Sequence, residues 1–207
     1  MQGIISAVRR NSLAENAGIK AGEKLCAVNG VSVHDIIELS YLVADEQIVL
    51  TIEDSECRQR QIVIEKYTDE ELGLEFEAAV FDGVTTCYNN CVFCFVDQMI
   101  PGMRESLYVR DDDYRLSFLY GNFITLTNMK EEDFEQIIKT HMSPLYISVH
   151  ATRPEVRCQM MNNRFAGELM SKINRLVEAG ISIHTQIVCC PGYNLSLIHI
   201  SEPTRRS

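Results

Sequence analysis

Cys87-Tyr88-Asn89-Asn90-Cys91-Val92-Phe93-Cys94 is the stretch on which the reading of this chain turns. Three cysteines follow one another in a C-x3-C-x2-C run, with an aromatic residue directly before the third. Three thiolates on one short loop can hold three irons of a four-iron–four-sulfur cubane, because such clusters favour cysteine ligation. The fourth iron then lacks a protein ligand, and an open metal position is what a catalytic site requires. A purely electron-carrying cluster normally closes that position with a fourth cysteine. Two other readings of the run stay open. A zinc site would need a fourth ligand, for which Cys158, Cys189 and Cys190 are candidates. A redox pair in Cys91-Val92-Phe93-Cys94 would leave Cys87 unexplained.

The composition narrows the classes. With 207 residues, 46% hydrophobic and 23% charged, the chain has material for one large or two small globular domains. No run of eighteen apolar residues occurs, which argues against a membrane span. The net charge of −10 argues against a general nucleic-acid binder, though not against a small local RNA contact. Eight cysteines without a secretory leader at Met1 do not suggest a disulfide scaffold, so the cytoplasm is the expected address. Cys26 and Cys57 read as isolated buried cysteines.

Upstream of the cysteine run, short strands and turns are expected. Gly3 to Val8 is β-rich, Ser12 to Gly18 forms a capped helical turn, and Ala21 to Gly30 gives a strand ending in an Asn-Gly turn. Val33 to Val43 fits an amphipathic helix, while Gln47 to Glu53 and Gln61 to Lys66 alternate as a hairpin would. These residues resemble a bacterial PDZ domain. PDZ domains bind extended peptides by adding a strand beside a loop whose amides hold a carboxylate. Leu72-Gly73-Leu74-Glu75-Phe76 resembles that loop, displaced to the far end as in a permuted PDZ. The resemblance implies a peptide or protein partner; a degenerate module that binds no peptide is the competing reading.

Downstream, strands and helices alternate. A strand is expected within Leu116 to Thr127, a helix starting at Asn128 with Glu131 three residues on, and a strand from Pro144 to His150. Leu169, Ile173, Leu176 and Val177 form one helical stripe ending at Gly180, followed by a strand over Ile181 to Val188. That alternation implies a parallel sheet or barrel. Asp111 to Asp113 reads as a solvated acidic loop, with a contact to a cation or basic substrate as the competing reading.

The cysteine spacing with Phe93 resembles the radical S-adenosylmethionine (SAM) superfamily. The resemblance implies that Cys87, Cys91 and Cys94 hold a 4Fe-4S cluster whose open iron binds SAM, and that reductive cleavage yields a 5′-deoxyadenosyl radical. By the same resemblance Phe93 lies near the adenine, and Gly121 and Asn122 occupy the place of the family's glycine-rich amino-group site, although Leu119-Tyr120-Gly121-Asn122 departs from the usual Gly-Gly-Glu. Ser148-Val149-His150 is similar to a Ser-Leu-His strand end seen in several radical enzymes. His150 and Gln186 fit either a ligand contact or a structural hydrogen bond. An electron donor such as flavodoxin or ferredoxin is implied.

The expected architecture is α/β. A small PDZ-like β-rich module covers residues 1–78, and the first half of a partial (βα)6 radical SAM barrel covers 79–194. Together with Asp97, Gln98 and Leu107 to Arg115, this resembles a bacterial family that joins a PDZ-like domain, a radical SAM core and a C-terminal domain of unknown function. Residues 195–207 are similar to the translation of a transposase sequencing adapter and read as an artefact tail. A chain cut there would leave an unpaired sheet edge, which invites aggregation and can leave it inactive. The substrate is not legible. The alternative function is a non-enzymatic PDZ adaptor with a structural or redox-sensing metal site.

Overall fold

A computed structural model describes residues 3–195; the tail expected over 195–207 lies outside the described residues except for Leu195. The chain divides into two compact units, with the division after Gly83.

The first unit is built on a six-stranded sheet of order β5-β4-β2-β1-β6, with β3 paired to β2. Its strands are β1 (Gly3–Val8), β2 (Lys24–Val28), β3 (Val31–Ser32), β4 (Gln47–Glu53), β5 (Gln59–Glu65) and β6 (Leu74–Phe76). The expected hairpin forms in a single unbroken register, from Gln47 opposite Glu65 to Glu53 opposite Gln59. Helix α1 (Leu13–Asn16) starts where Ser12 Oγ accepts the Glu15 N–H, and α2 (Ile36–Leu42) where the Asp35 carboxylate accepts that of Glu38. Alternation along β4 sends Ile48, Leu50 and Ile52 into the core with Ile5, Leu25 and Val28. The Leu72-to-Phe76 segment does pair with β1, placing β6 at an edge of the sheet. Gly73 sits at φ +78°, and a Cβ there would lie 2.3 Å from Ser12 Cβ. Only glycine fits both that backbone and that contact. Phe81 packs into this same core, so the unit extends past residue 78, where the sequence reading ends it. Cys57 is exposed, at a left-handed turn position between β4 and β5, and is not the buried cysteine expected.

The second unit holds a two-stranded parallel sheet, β7 (Leu145–Ser148) and β8 (Ile183–Gln186). Ile124 adds a parallel bridge to Ile147, so the beginnings of a parallel arrangement are present, but no half barrel of regular strands forms among the described residues. The strand expected within Leu116 to Thr127 is largely a helix, α3 (Tyr114–Tyr120). Its caps decide the outcome: Asp113 accepts the Arg115 N–H at the start, and Gly121, at φ +77°, closes the end. Helix α4 (Glu131–Thr140) begins at Lys130, not at Asn128, because Asp133 reaches back to the Lys130 N–H at 2.8 Å. Asn128 instead donates to the carbonyls of Thr86 and Asp112. Helix α5 (Pro154–Met161) is unforeseen; Pro154 opens it. Helix α6 (Leu169–Glu178) follows the expected stripe, with Leu169 and Leu176 buried.

Arg157 of α5 is 1% exposed and pins this unit together. Its guanidinium donates to four backbone carbonyls: Val149 at 2.9 Å, Ala166 at 2.6 Å, Thr125 at 2.9 Å and Ser148 at 2.8 Å. A planar fork with five donors can serve several carbonyls at once, which lysine cannot do. Replacing Arg157 by Leu strands those buried acceptors. Chemical denaturation is expected to show a loss of about 3–5 kcal/mol, and Arg157→Lys is expected to recover only part of it.

Candidate functional site

The cysteine loop has no regular secondary structure of its own and is held from three sides. The Asn90 N–H donates to Met161 O at 3.1 Å and the Val92 N–H to Met160 O at 2.9 Å. Those are carbonyls of the last turn of α5, which lack partners within the helix. The Cys87 N–H donates to Arg110 O at 2.7 Å, beside a bridge between Thr86 and Asp111. The third hold is the side chain of Asn89, buried among Thr125, Thr127 and Asn163.

Cys87, Cys91 and Cys94 then line one cavity of about 580 Å3 together with Phe93, Asn122, Ser148 and His150. Asn89, Arg110, Asp111, Thr125 and Gln186 complete its polar wall. This volume lies within the usual range of small-molecule and cofactor sites. Gly121 does not line the cavity; it caps α3, where an added Cβ would meet the Tyr146 ring at 3.4 Å. Asn122 Nδ2 donates to Asp111 at 2.7 Å, and Ser148 Oγ accepts from Gln186 Nε2 at 3.0 Å. Phe93 packs on the His150 ring with centroids 4.4 Å apart. His150 lies two residues past β7 with a left-handed φ of 58°, a conformation uncommon for residues with a β-carbon. Its carbonyl is tied to Asn194 at 2.8 Å.

Electrostatics sets the state of each group. Burial pushes the Cys91 thiol up to about 12, with Cys87 and Cys94 adding like-charge repulsion. Cys87 is raised chiefly by burial and then by Asp112. Cys87 and Cys91, so desolvated, need positive charge nearby before they ionise, and a metal ion is one source of it. Asp112 and Asp113, expected in a solvated loop, are buried at 2% and 1% exposure. Burial raises the Asp112 carboxyl against the hydrogen bonds from Thr125. For Asp113, burial is outweighed by the Arg115 guanidinium and the Thr85 N–H, which hold it below the usual carboxylate range. The acidic run therefore anchors the site from beneath. Burial, then Arg157, lowers His150 to about 4, so its ring is neutral at physiological pH. Nδ1 accepts the Val188 N–H at 3.2 Å, which places the proton of the neutral ring on Nε2.

The family model for a Radical SAM-like domain matches residues 66–198. The chain belongs to this Radical SAM-like domain family. A PDZ domain model matches residues 4–54, in the first unit. No curated protein matches the chain. In this family member, the zinc candidates do not join the cysteine run. Cys158 Sγ contacts Arg164 O at 3.5 Å, Cys189 is exposed, and Cys190 packs with Ala151 and Met160; none of them lines the cavity. Among the described residues no group of three His, Cys, Asp or Glu side chains converges to hold a single ion. No helix among them is long and apolar enough to cross a membrane.

Asn89, Thr125, Arg157 and the buried aspartates were not legible as site residues. An Asn-Asn pair gives no sign of which member turns inward, and an arginine in a short helix reads as solvated.

The depressed His150 pKa has a stability consequence. Below pH 6.5 the unfolded chain takes up a proton that the folded imidazole refuses until about pH 4. Stability is therefore lost as pH falls through that window, by about 3 kcal/mol at its end. Thermal unfolding measured from pH 7.5 to 4.5 is expected to show a shallower acid decline for His150→Gln than for the natural protein.

Proposed function

We propose that this protein is a radical SAM enzyme, with a 4Fe-4S cluster on Cys87, Cys91 and Cys94. The observation that carries the reading is that three cysteine side chains of one loop open onto one cavity that also holds Asn122, Ser148, His150 and Gln186. The donor set suits the group: three thiolates of one loop on one cavity match a cubane that takes one thiolate per iron. When bound, the cluster and SAM would supply the electron and the 5′-deoxyadenosyl radical that abstracts hydrogen from a substrate.

The chain's own residues have the tasks of binding and orienting. Asn122, Ser148 and Gln186 offer neutral polar groups to the amino and carboxylate ends of the cofactor. Phe93, braced by His150, sits beside the third cysteine, where its backbone would meet the adenine. The neutral Nε2–H of His150 can donate to cofactor or substrate without adding charge to the cavity. A low-potential donor such as flavodoxin or ferredoxin would deliver the electron.

Anaerobic reconstitution with iron and sulfide, then dithionite and SAM, tests this. The expected result is a charge-transfer absorption near about 400 nm and release of 5′-deoxyadenosine. Cys87→Ala, Cys91→Ala and Cys94→Ala are each expected to reduce that release to the level without protein. Bound zinc with no such absorption would overturn the proposal.

The first unit supports a second, separable reading. Strand β6 lies at a sheet edge just after the Gly73 turn, so an extended peptide could add beside it. Amide shifts confined to residues 72–76 and α2 on titration with C-terminal peptides would support it, and unchanged shifts would make the module structural only.

A further inference from the structure

Asn89 is the one polar side chain of the cysteine loop that is turned fully inward, at 3% exposure, while its neighbours Tyr88 and Asn90 are exposed. Its Nδ2 lies 3.2 Å from Cys87 Sγ, 3.1 Å from Thr125 Oγ1 and 2.9 Å from Thr127 Oγ1. Its Oδ1 accepts from Asn163 Nδ2 at 2.7 Å.

The direction of the contact to sulfur is not arbitrary. Asn163 Oδ1 accepts the Phe165 backbone N–H at 2.9 Å, and a backbone N–H can only donate. Asn163 must therefore present its amide NH2 to Asn89, and Asn89 must answer with its oxygen. The remaining end of Asn89, the NH2, is then the end that faces Cys87. The relay from the Phe165 N–H through Asn163 thus fixes which end of Asn89 faces the first cysteine, and the two protons of that NH2 are shared among Cys87 Sγ, Thr125 Oγ1 and Thr127 Oγ1. On the other side, Thr125 is held by Asp112, through its N–H at 2.6 Å and its hydroxyl at 2.5 Å. Both ends of the amide are fixed by elements outside the cysteine loop.

We propose that Asn89 is a positioning residue of this site: it fixes the Cys87 sulfur toward the cavity and, by donating an N–H to it, makes the bound cluster easier to reduce. The proposal rests on the cluster reading above. A hydrogen bond to a ligating sulfur withdraws electron density from it and stabilises the reduced, more negative state, so such bonds raise cluster potentials. An asparagine that served only to tie the loop down would move iron retention but not the potential.

The test is an EPR-monitored redox titration of the anaerobically reconstituted protein. Asn89→Leu keeps the side-chain size and removes the donor. It is expected to shift the reduction equilibrium at least tenfold toward the oxidised state, about 59 mV more negative for a one-electron couple. Asn163→Asp tests the same bond without altering the cysteine loop. It still accepts the Phe165 N–H but turns the Asn89 amide around, so the same direction of shift is expected. Asn162→Asp adds equal charge next door without touching Asn89 and is expected to leave a smaller shift than Asn163→Asp. Equal potentials in the natural protein, Asn89→Leu and Asn163→Asp would overturn the proposal while leaving the cluster reading intact. Failure of the natural protein itself to take up iron would overturn both.

Discussion

A loop with three thiols and almost no regular structure can present them together only if something else fixes its backbone. Here helix α5 does so. Its last carbonyls, which no helix can satisfy internally, accept the amides of Asn90 and Val92. Two unmet needs, orphan helix carbonyls and loop amides on either side of Cys91, cancel each other. The same helix carries Arg157, whose guanidinium collects the carbonyls of Thr125, Ser148 and Val149 at the ends of the extended segments. One eight-residue helix therefore sets the cysteines and the strand-end residues Ser148 and His150 in one frame.

Charge explains why that frame is built as it is. Arg157 is a buried cation that donates to four backbone carbonyls and interacts electrostatically with Asp112 and Cys91. Two thiols that resist ionising, Cys87 and Cys91, form with one cation and a buried carboxylate a set that would gain if the thiols became ligands. Asp113 is neutralised locally by Arg115, so it braces the floor without adding free charge. His150 stays uncharged for the same reason that Cys91 resists ionising: burial disfavours whichever form bears charge.

Much of this could be read from the residues in order. The three cysteines announce by their spacing that they belong together, and they line one cavity; the first unit announces its sheet by alternation and by the Asn-Gly and Gly73 turns, since both are local signals. What escaped depends on tertiary context. Ser117 to Tyr120 has strand-like composition, yet Asp113 and Gly121 cap it as a helix. Asp112 and Asp113 form an acidic run that is normally solvated, yet Thr125, Thr85 and Arg115 draw it inside. Arg157 carries no local mark of burial because its four partners come from three separate segments. The expected half barrel is reduced to β7, β8 and the Ile124 bridge, because the preceding segment was spent on α3.

In the proposed holoprotein, Cys87, Cys91 and Cys94 would supply three thiolates to a four-iron cluster and leave one corner open. Mössbauer spectroscopy of protein reconstituted with iron-57, recorded before and after addition of SAM, addresses this directly. The expected spectrum resolves one iron from the other three, and only that iron shifts when SAM is added. Four irons that stay indistinguishable, or a spectrum that SAM leaves unchanged, would contradict it.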